Sequence, residues 1–543
     1  MSLKKSRILT TVASTALVAT AVVGIPSIAQ AADPQCATVK YVTQCAGAGE
    51  SGAPYLMVAA ANFNGTVFIW SHGIRPAIDI PAALAPVGPY TVTNAAEPGP
   101  GASEGDMTVI NALVAAGYGV AGSGFSRQSV NAPQALADNV ELSATFKKKF
   151  PTTTKVIAWG KSLGALHSQK LAETNPNLVD GLVLACPAAN PNDALVTYFG
   201  DALYGFKAFF DPSIKVGGYS TDPATRQGEQ LANIGKVLTV LGKLSAGLSS
   251  GAWPDTASPA GKALEAAKVP SRSALLAVGL MAGIPTRSKH VDGTSGPAGA
   301  AELYPLAIAP AVAILENMGT VGVAGSLLIA DGELLTGGKV FDNSKTDYAA
   351  RIASDRDLFS FALSGNTAVD AIIGALAATP RETADAAAVA KIPSLIGLKG
   401  TISKPTVIIA AESDEYTPAS IAQWYVDGYG EQFAAAKEAA MVAAKSSRDY
   451  KAPVNKLVML WAKTSPKYSK FTAAGSPDLS AAVGAGTGHC YYTAAQYLAA
   501  AKMVAGAVST GKFPNQGPIT SAARKVGLSY DKKFRVPTFK SLS

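Results

Sequence analysis

KVIAWGKSLG, residues 155–164, decides the fold. Its first five residues form a short apolar run of strand length, and Gly160-Lys161-Ser162-Leu163-Gly164 follows with no linker between them. The residues after it read as a helix through Leu171. Between a strand and a helix, a Gly-x-Ser-x-Gly turn reverses the chain sharply, strains the serine backbone and leaves its Oγ exposed above a sheet. A chance Gly-rich turn lacks these flanks. Ser162 is therefore a candidate nucleophile.

Working outward, strands and helices alternate. Residues 66–70 (TVFIW) read as a strand ending at Ser71-His72-Gly73, and 106–116 as a helix closed by Gly117. A strand at 118–121 precedes a helix opened by Asn131 and Pro133, whose Leu136, Val140, Phe146 and Phe150 suit one buried face. Another strand is expected at 180–185. The alternation predicts an α/β fold with a mostly parallel central sheet and helices on both faces.

From 190 to 404 that alternation is lost. Helical stretches at 230–244, 273–281, 310–317 and 368–377 are separated by Gly, Pro and Ser clusters. A loop of more than two hundred residues does not fit a compact domain, so this length predicts a large, mainly helical inserted cap. Strand character returns at 406–410 and 456–461, giving a core of 32–189 and 405–543.

At the N-terminus, Lys4, Lys5 and Arg7 precede an uncharged stretch from Ile8 to Ile25, and Ala29-Gln30-Ala31 supplies a small-x-small cleavage pattern. Residues 1–31 are expected to be a signal peptide and the mature chain to be secreted. No later segment reads as membrane-spanning, because Pro310 interrupts and Glu316 closes the apolar run at 306–315. Hydrophobic residues make up 48% and charged ones 15%, which excludes a disordered chain. Without the three leader cations, 43 Lys and Arg face 38 Asp and Glu, a mild net charge of +5. Arg524, Lys525, Lys532, Lys533, Arg535 and Lys540 cluster in the tail and offer a weak contact to an anionic cell envelope. No aromatic interleaving or motif accompanies them, so nucleic acid is not an expected partner.

A serine hydroxyl needs a base to take its proton and a carboxylate to orient that base. The chain has four histidines. His72 ends the first strand, His167 lies on the helix after the candidate nucleophile, and His290 falls in the insertion. His489, in the Gly-rich run 484–489 beyond the last strand, is left as the expected base. The strand at 406–410 opens into Ala411-Glu412-Ser413-Asp414-Glu415-Tyr416-Thr417-Pro418, with three acids. Asp414 is preferred over Glu412 and Glu415, in the chain order Ser, Asp, His.

SHGIRP at 71–76, GKSLG at the turn, AESDEYTP and GTGHCYY at 486–492 together resemble the α/β-hydrolase superfamily, over roughly 60–190 and 400–505. The resemblance implies an oxyanion hole made by the backbone amide of Ile74, with Gly73 as a further candidate, and that of Leu163. It also implies that His72 shapes its turn. Two features depart from known subfamilies. Leu163 stands where many secreted prolyl and tripeptidyl aminopeptidases have Tyr, and Lys161 stands where tannases and feruloyl esterases have a Cys that pairs with one after the histidine. A dehalogenase would need Asp at the elbow. The sequence has no HExxH, no Cys/His metal cluster and no GxGxxG dinucleotide site set between a strand and a helix, so neither metal nor cofactor is expected.

Four cysteines in an exported chain allow three pairings. Position favours Cys36 with Cys45, near neighbours, and Cys186 with Cys490, which would pin the His489 loop beside the serine strand. The expected activity is hydrolysis of a small-molecule or polymeric carboxylic ester. A secreted peptidase and a non-catalytic binding protein on the same scaffold are the other readings.

Overall fold

The computed structural model describes residues 33–188, 194–300, 302–446 and 452–537. The expected signal peptide, the first residues of the insertion at 190 and Lys540 lie outside them. Nine strands build one sheet: β1 (Gln35–Val39), β2 (Val42–Ala48), β3 (Pro54–Ala60), β4 (Thr66–Ser71), β5 (Gly119–Ser123), β6 (Lys155–Lys161), β7 (Gly181–Ala185), β8 (Thr406–Ala411) and β9 (Leu457–Ala462). Their order is β1-β2-β3-β5-β4-β6-β7-β8-β9. From β5 to β9 every pairing is parallel, and β1, β2 and β3 add an antiparallel flank.

The parallel strands are buried on both faces, which is why they read as unbroken apolar runs. Ile157 and Trp159 of β6 pack with the helices Thr108–Ala115 and Ala494–Thr510, whereas Ala158 between them faces the helices Ala132–Lys149 and Leu163–Thr174. The β1–β2 hairpin gave no sequence signal for a physical reason. Its two-residue loop places Lys40 and Tyr41 at φ 45° and 72°, a conformation usually marked by Asn-Gly. The Cys36–Cys45 disulfide joins directly opposed residues and holds that edge.

Between β7 and β8 lies the expected helical insertion, with Ala194–Phe209, Pro223–Gly247, Ser271–Ala282, Ala309–Thr336 and Asn366–Ala378 as its longer helices. Pro310 and Glu316 do not bound a short apolar run; they belong to a single 28-residue helix, Ala309–Thr336. Pro310 sits in the first turn, where its missing N–H is not needed. By length and composition this helix could cross a membrane, with mean hydropathy 1.6, yet 67% of its apolar window is buried inside the protein. Its side chains share one apolar cluster with Leu163 and Leu166 of the helix after Ser162, so insertion and sheet domain have a common core.

Two carboxylates lock the insertion onto the sheet domain. Asp331 accepts both terminal nitrogens of Arg127, at 3.0 and 2.5 Å, and the amide of Val130 at 2.9 Å. Asp292 accepts backbone N–H groups from Thr294, Ser295, Tyr468 and Ser469. Burial alone would raise Asp292, but these donors outweigh it and hold the carboxyl well below the usual range. Replacing Asp331 by Asn removes a charge-assisted pair from a largely buried site. Asp331→Asn is expected to cost about 1.5–3 kcal/mol and lower Tm by several degrees, with no rescue by Arg127→Lys, which lacks the planar fork. An unchanged Tm by calorimetry would show that the joint does not depend on this pair.

Candidate active site

The turn at Ser162 follows from close packing. Ser162 adopts φ 57° and ψ −124°, a region L-residues rarely visit, at the junction of β6 and the helix Leu163–Thr174. Its amide donates to Ala185 O at 2.9 Å, tying the elbow to β7. A Cβ on Gly164 would lie 2.0 Å from Ser71 O and 2.5 Å from His72 O, and one on Gly160 would lie 2.4 Å from Gly164 O. Both positions exclude any side chain. The same approach brings the 71–74 turn against the serine, since a Cβ on Gly73 would touch Ser162 Cβ at 3.4 Å.

Ile74 and Leu163 line the pocket that also contains Ser162. Among the described residues neither their amides nor that of Gly73 has a hydrogen-bond acceptor. Free N–H groups beside a serine suit an oxyanion. The turn that presents Ile74 is fixed by a buried set that the sequence did not announce. Glu97 accepts Trp70 Nε1 and Arg75 Nη2, each at 2.9 Å, and Arg75 also donates to Ala95 O. His72 Nδ1 donates to its neighbour Gly73 O at 2.7 Å, while burial, with Arg75 adding to it, lowers its pKa to about 3. This imidazole is neutral and shapes the turn.

His489 Nδ1 lies 3.0 Å from both Asp414 oxygens. Asp414 is held in turn by the amides of Tyr416 and Thr417, each at 2.8 Å, and by the Thr417 hydroxyl at 3.0 Å. This side chain-to-backbone turn leads into the helix Ala419–Ser446, and the Asp-x-x-Thr spacing is the signal that could have found Thr417. Tyr416 packs on the imidazole with ring centroids 4.8 Å apart. Glu412 turns away and accepts the amide and hydroxyl of Thr464. His489 Nε2 sits 3.4 Å from Cys490 Sγ, and among the described residues no hydrogen bond reaches Ser162 Oγ. The structure thus pairs His489 with Asp414 through Nδ1 and sets its Nε2 beside Cys490 Sγ.

Cys490 is bonded to Cys186, the residue after β7, with Cα atoms 5.5 Å apart. The bond fastens the His489 loop to the strand next to the one carrying Ser162. The other two histidines lie elsewhere. His290 Nδ1 pairs with Glu316 at 2.6 Å, and His167 is fully buried, its pKa lowered to about 3, chiefly by burial.

Glu415 is the unexpected group. Its carboxyl is 1% exposed, neither oxygen has a hydrogen-bond partner, and the nearest cation, Lys289 Nζ, stands off at 3.7 Å. Burial, then the adjacent Asp414 carboxylate, raises it above the usual range against the opposing pull of Lys289. Folding therefore favours the protonated acid. That contribution is complete below the unfolded value of about 4.3 and is lost as pH rises through the higher folded value. Glu415→Gln, which cannot ionise, is expected to gain Tm relative to the native protein at pH 8 and not at pH 4. A Tm difference that does not vary with pH would show that Glu415 folds as a carboxylate.

Residues 108–271 match the family model described as serine aminopeptidase, S33. No curated protein matches the chain. Among solved structures, feruloyl esterase B from Aspergillus oryzae is similar at 13% identity over 87% of this chain and 82% of that one, with a TM-score of 0.33. The rice cell wall degrading esterase LipA from Xanthomonas oryzae is similar at 12% identity over 78% and 82%, with a TM-score of 0.30. From its parallel sheet, its strained serine elbow between β6 and a helix, and the family match across that elbow, the chain is an α/β-hydrolase in fold.

Proposed function

We propose that the protein hydrolyses carboxylic esters through an acyl-enzyme on Ser162, with His489 as base and Asp414 as its orienting acid. The observation that carries this reading is the pocket at the serine. It is walled by aliphatic and aromatic side chains, with no charged residue among its described lining. An aminopeptidase would need carboxylates there to receive the substrate ammonium. An apolar wall suits the acyl group of an ester.

In the reaction, His489 Nε2 takes the Ser162 proton as Oγ attacks the ester carbonyl. The amides of Ile74 and Leu163 receive the oxyanion, and loss of one such donor typically costs about 2.7–4 kcal/mol of barrier. Asp414 keeps the proton on Nδ1 and stabilises the imidazolium, which then protonates the leaving alcohol. Water, activated by the same base, releases the acid. The insertion 190–404 acts as a cap that selects the acyl group, since its helices supply most of the wall. Export fits the two disulfides, which persist in oxidising compartments.

Two experiments test this. Ser162→Ala is expected to abolish fluorophosphonate labelling and to reduce turnover of p-nitrophenyl esters by several orders of magnitude; labelling that survives, or aminoacyl-anilides cleaved faster than esters, would sink the proposal. Cys490→Ser is expected to lower kcat more than Cys45→Ser does, because only Cys490 adjoins His489. Equal losses in the two variants would assign Cys186–Cys490 to stability alone.

A further inference from the structure

The pocket has a shape as well as a polarity. Leu328, Gly332 and Thr336 recur every fourth residue along the helix Ala309–Thr336 and so form one ridge, flanked by Ile329. Eight residues of helix rise roughly 12 Å, about the length of ten carbons of an extended alkyl chain. Leu195, Val196 and Phe199 supply a second wall from the helix Ala194–Phe209, and Ile392, Leu395 and Ile396 a third from the helix Ile392–Ile396.

Few polar groups in this slot call for a partner. Thr336 Oγ1 donates to Gly332 O at 2.8 Å, and Thr417 Oγ1 is engaged by Asp414 and Cys186 O. A hydroxylated aromatic acyl group would bury its phenol among aliphatic side chains, which is unfavourable without a hydrogen bond. A saturated chain has nothing to satisfy.

The glycines of the long helix single out one position. A Cβ on Gly322 would meet Val237 Cγ1 at 2.8 Å, and one on Gly325 would meet Leu203 Cδ1 at 2.9 Å, so close helix packing explains both. Gly319 and Gly332 have no such neighbour; the nearest atom to a Cβ on Gly332 would be Val340 Cγ2, at 3.7 Å. Of these two only Gly332 lines the pocket. Glycine weakens a helix interior, and here its missing side chain leaves the slot open along its length.

We propose that this slot binds an unbranched, saturated acyl chain of about eight to twelve carbons, and that Gly332 sets how much of the chain is admitted. The inference rests on the ester-hydrolase reading and specifies its substrate. Each methylene removed from water can raise kcat/KM up to roughly fourfold, so even partial burial gives a steep rise with chain length.

The test uses the mature full chain with p-nitrophenyl esters from acetate to palmitate and with p-nitrophenyl ferulate. Expected is a kcat/KM for decanoate at least about tenfold above acetate and above ferulate, with a decline by palmitate. Gly332→Phe is expected to lower the decanoate-to-acetate ratio about tenfold by filling the slot. Leu395→Trp, on a different helix and half-buried, is expected to lower it too, and carries the test should the glycine variant fail to fold. A flat chain-length profile, a preference for ferulate, or an unchanged ratio in both folded variants overturns the acyl-chain proposal while leaving ester hydrolysis standing. Absence of ester turnover together with absence of fluorophosphonate labelling overturns the ester reading itself.

Discussion

The near-contact between Gly164 and the backbone at the end of β4 is the constraint on which the rest of the site depends. With Ser71 O only 2.0 Å from where a Cβ would stand, the helix after Ser162 can start only if residue 164 has no side chain. The approach has three consequences. It strains Ser162 into its left-handed conformation, it presses the Gly73 turn against the serine, and it leaves the Ile74 and Leu163 amides on the same pocket. A looser junction would separate Ser162 from the two amides proposed to receive the oxyanion, where a shift of about 1 Å is enough to cost a hundredfold in rate.

The second half of the site is held differently, by cross-links between loops. Ser413 receives from Gly488 and donates to Gly486, so the loops of Asp414 and His489 are paired backbone to backbone. The insertion enters this weave. Ser413 Oγ donates to Arg287 O, Gly484 donates to Lys289 O, and Lys289 Nζ stands between Glu415 and the Tyr491 ring. Segment 287–292 is therefore part of the scaffold of Asp414 and His489 as well as part of the insertion, and Asp292 anchors its far end. Motion of the insertion as one rigid lid would break these bonds.

What the sequence made legible follows from which interactions are local. Six parallel strands were readable because burial on both faces writes an apolar run into each of them, and Ser162 because its turn is encoded within five residues. The pairing of Asp414 with His489 was reachable through chain order and the scarcity of histidines. The hairpin at Lys40–Tyr41 is silent because its turn lacks Gly or Asn, and the long helix is masked because Pro310, a residue that breaks helix interiors, occupies its first turn. Glu97 and Lys289 could not be read at all, and Glu415 only as an alternative to Asp414. Their positions depend on contacts between segments 22 to 126 residues apart, which no local pattern records.

The apolar character of the insertion has an electrostatic consequence. The helix Ala309–Thr336 is hydrophobic enough for a bilayer, yet here it lines a pocket that contains Ser162, Ile74 and Leu163, whose backbone amides have no acceptor among the described residues. Excluding water from such a pocket lowers the local dielectric, and Coulombic terms that are weak in solution grow several-fold. The fixed amide dipoles then act on a developing oxyanion with little solvent to screen them and no reorganisation to complete. The same dryness forbids an uncompensated charge nearby, which accounts for the elevated pKa of Glu415 immediately behind the site. One physical condition, an apolar enclosure, thus both favours an aliphatic acyl group in the slot and strengthens the groups that would cleave it.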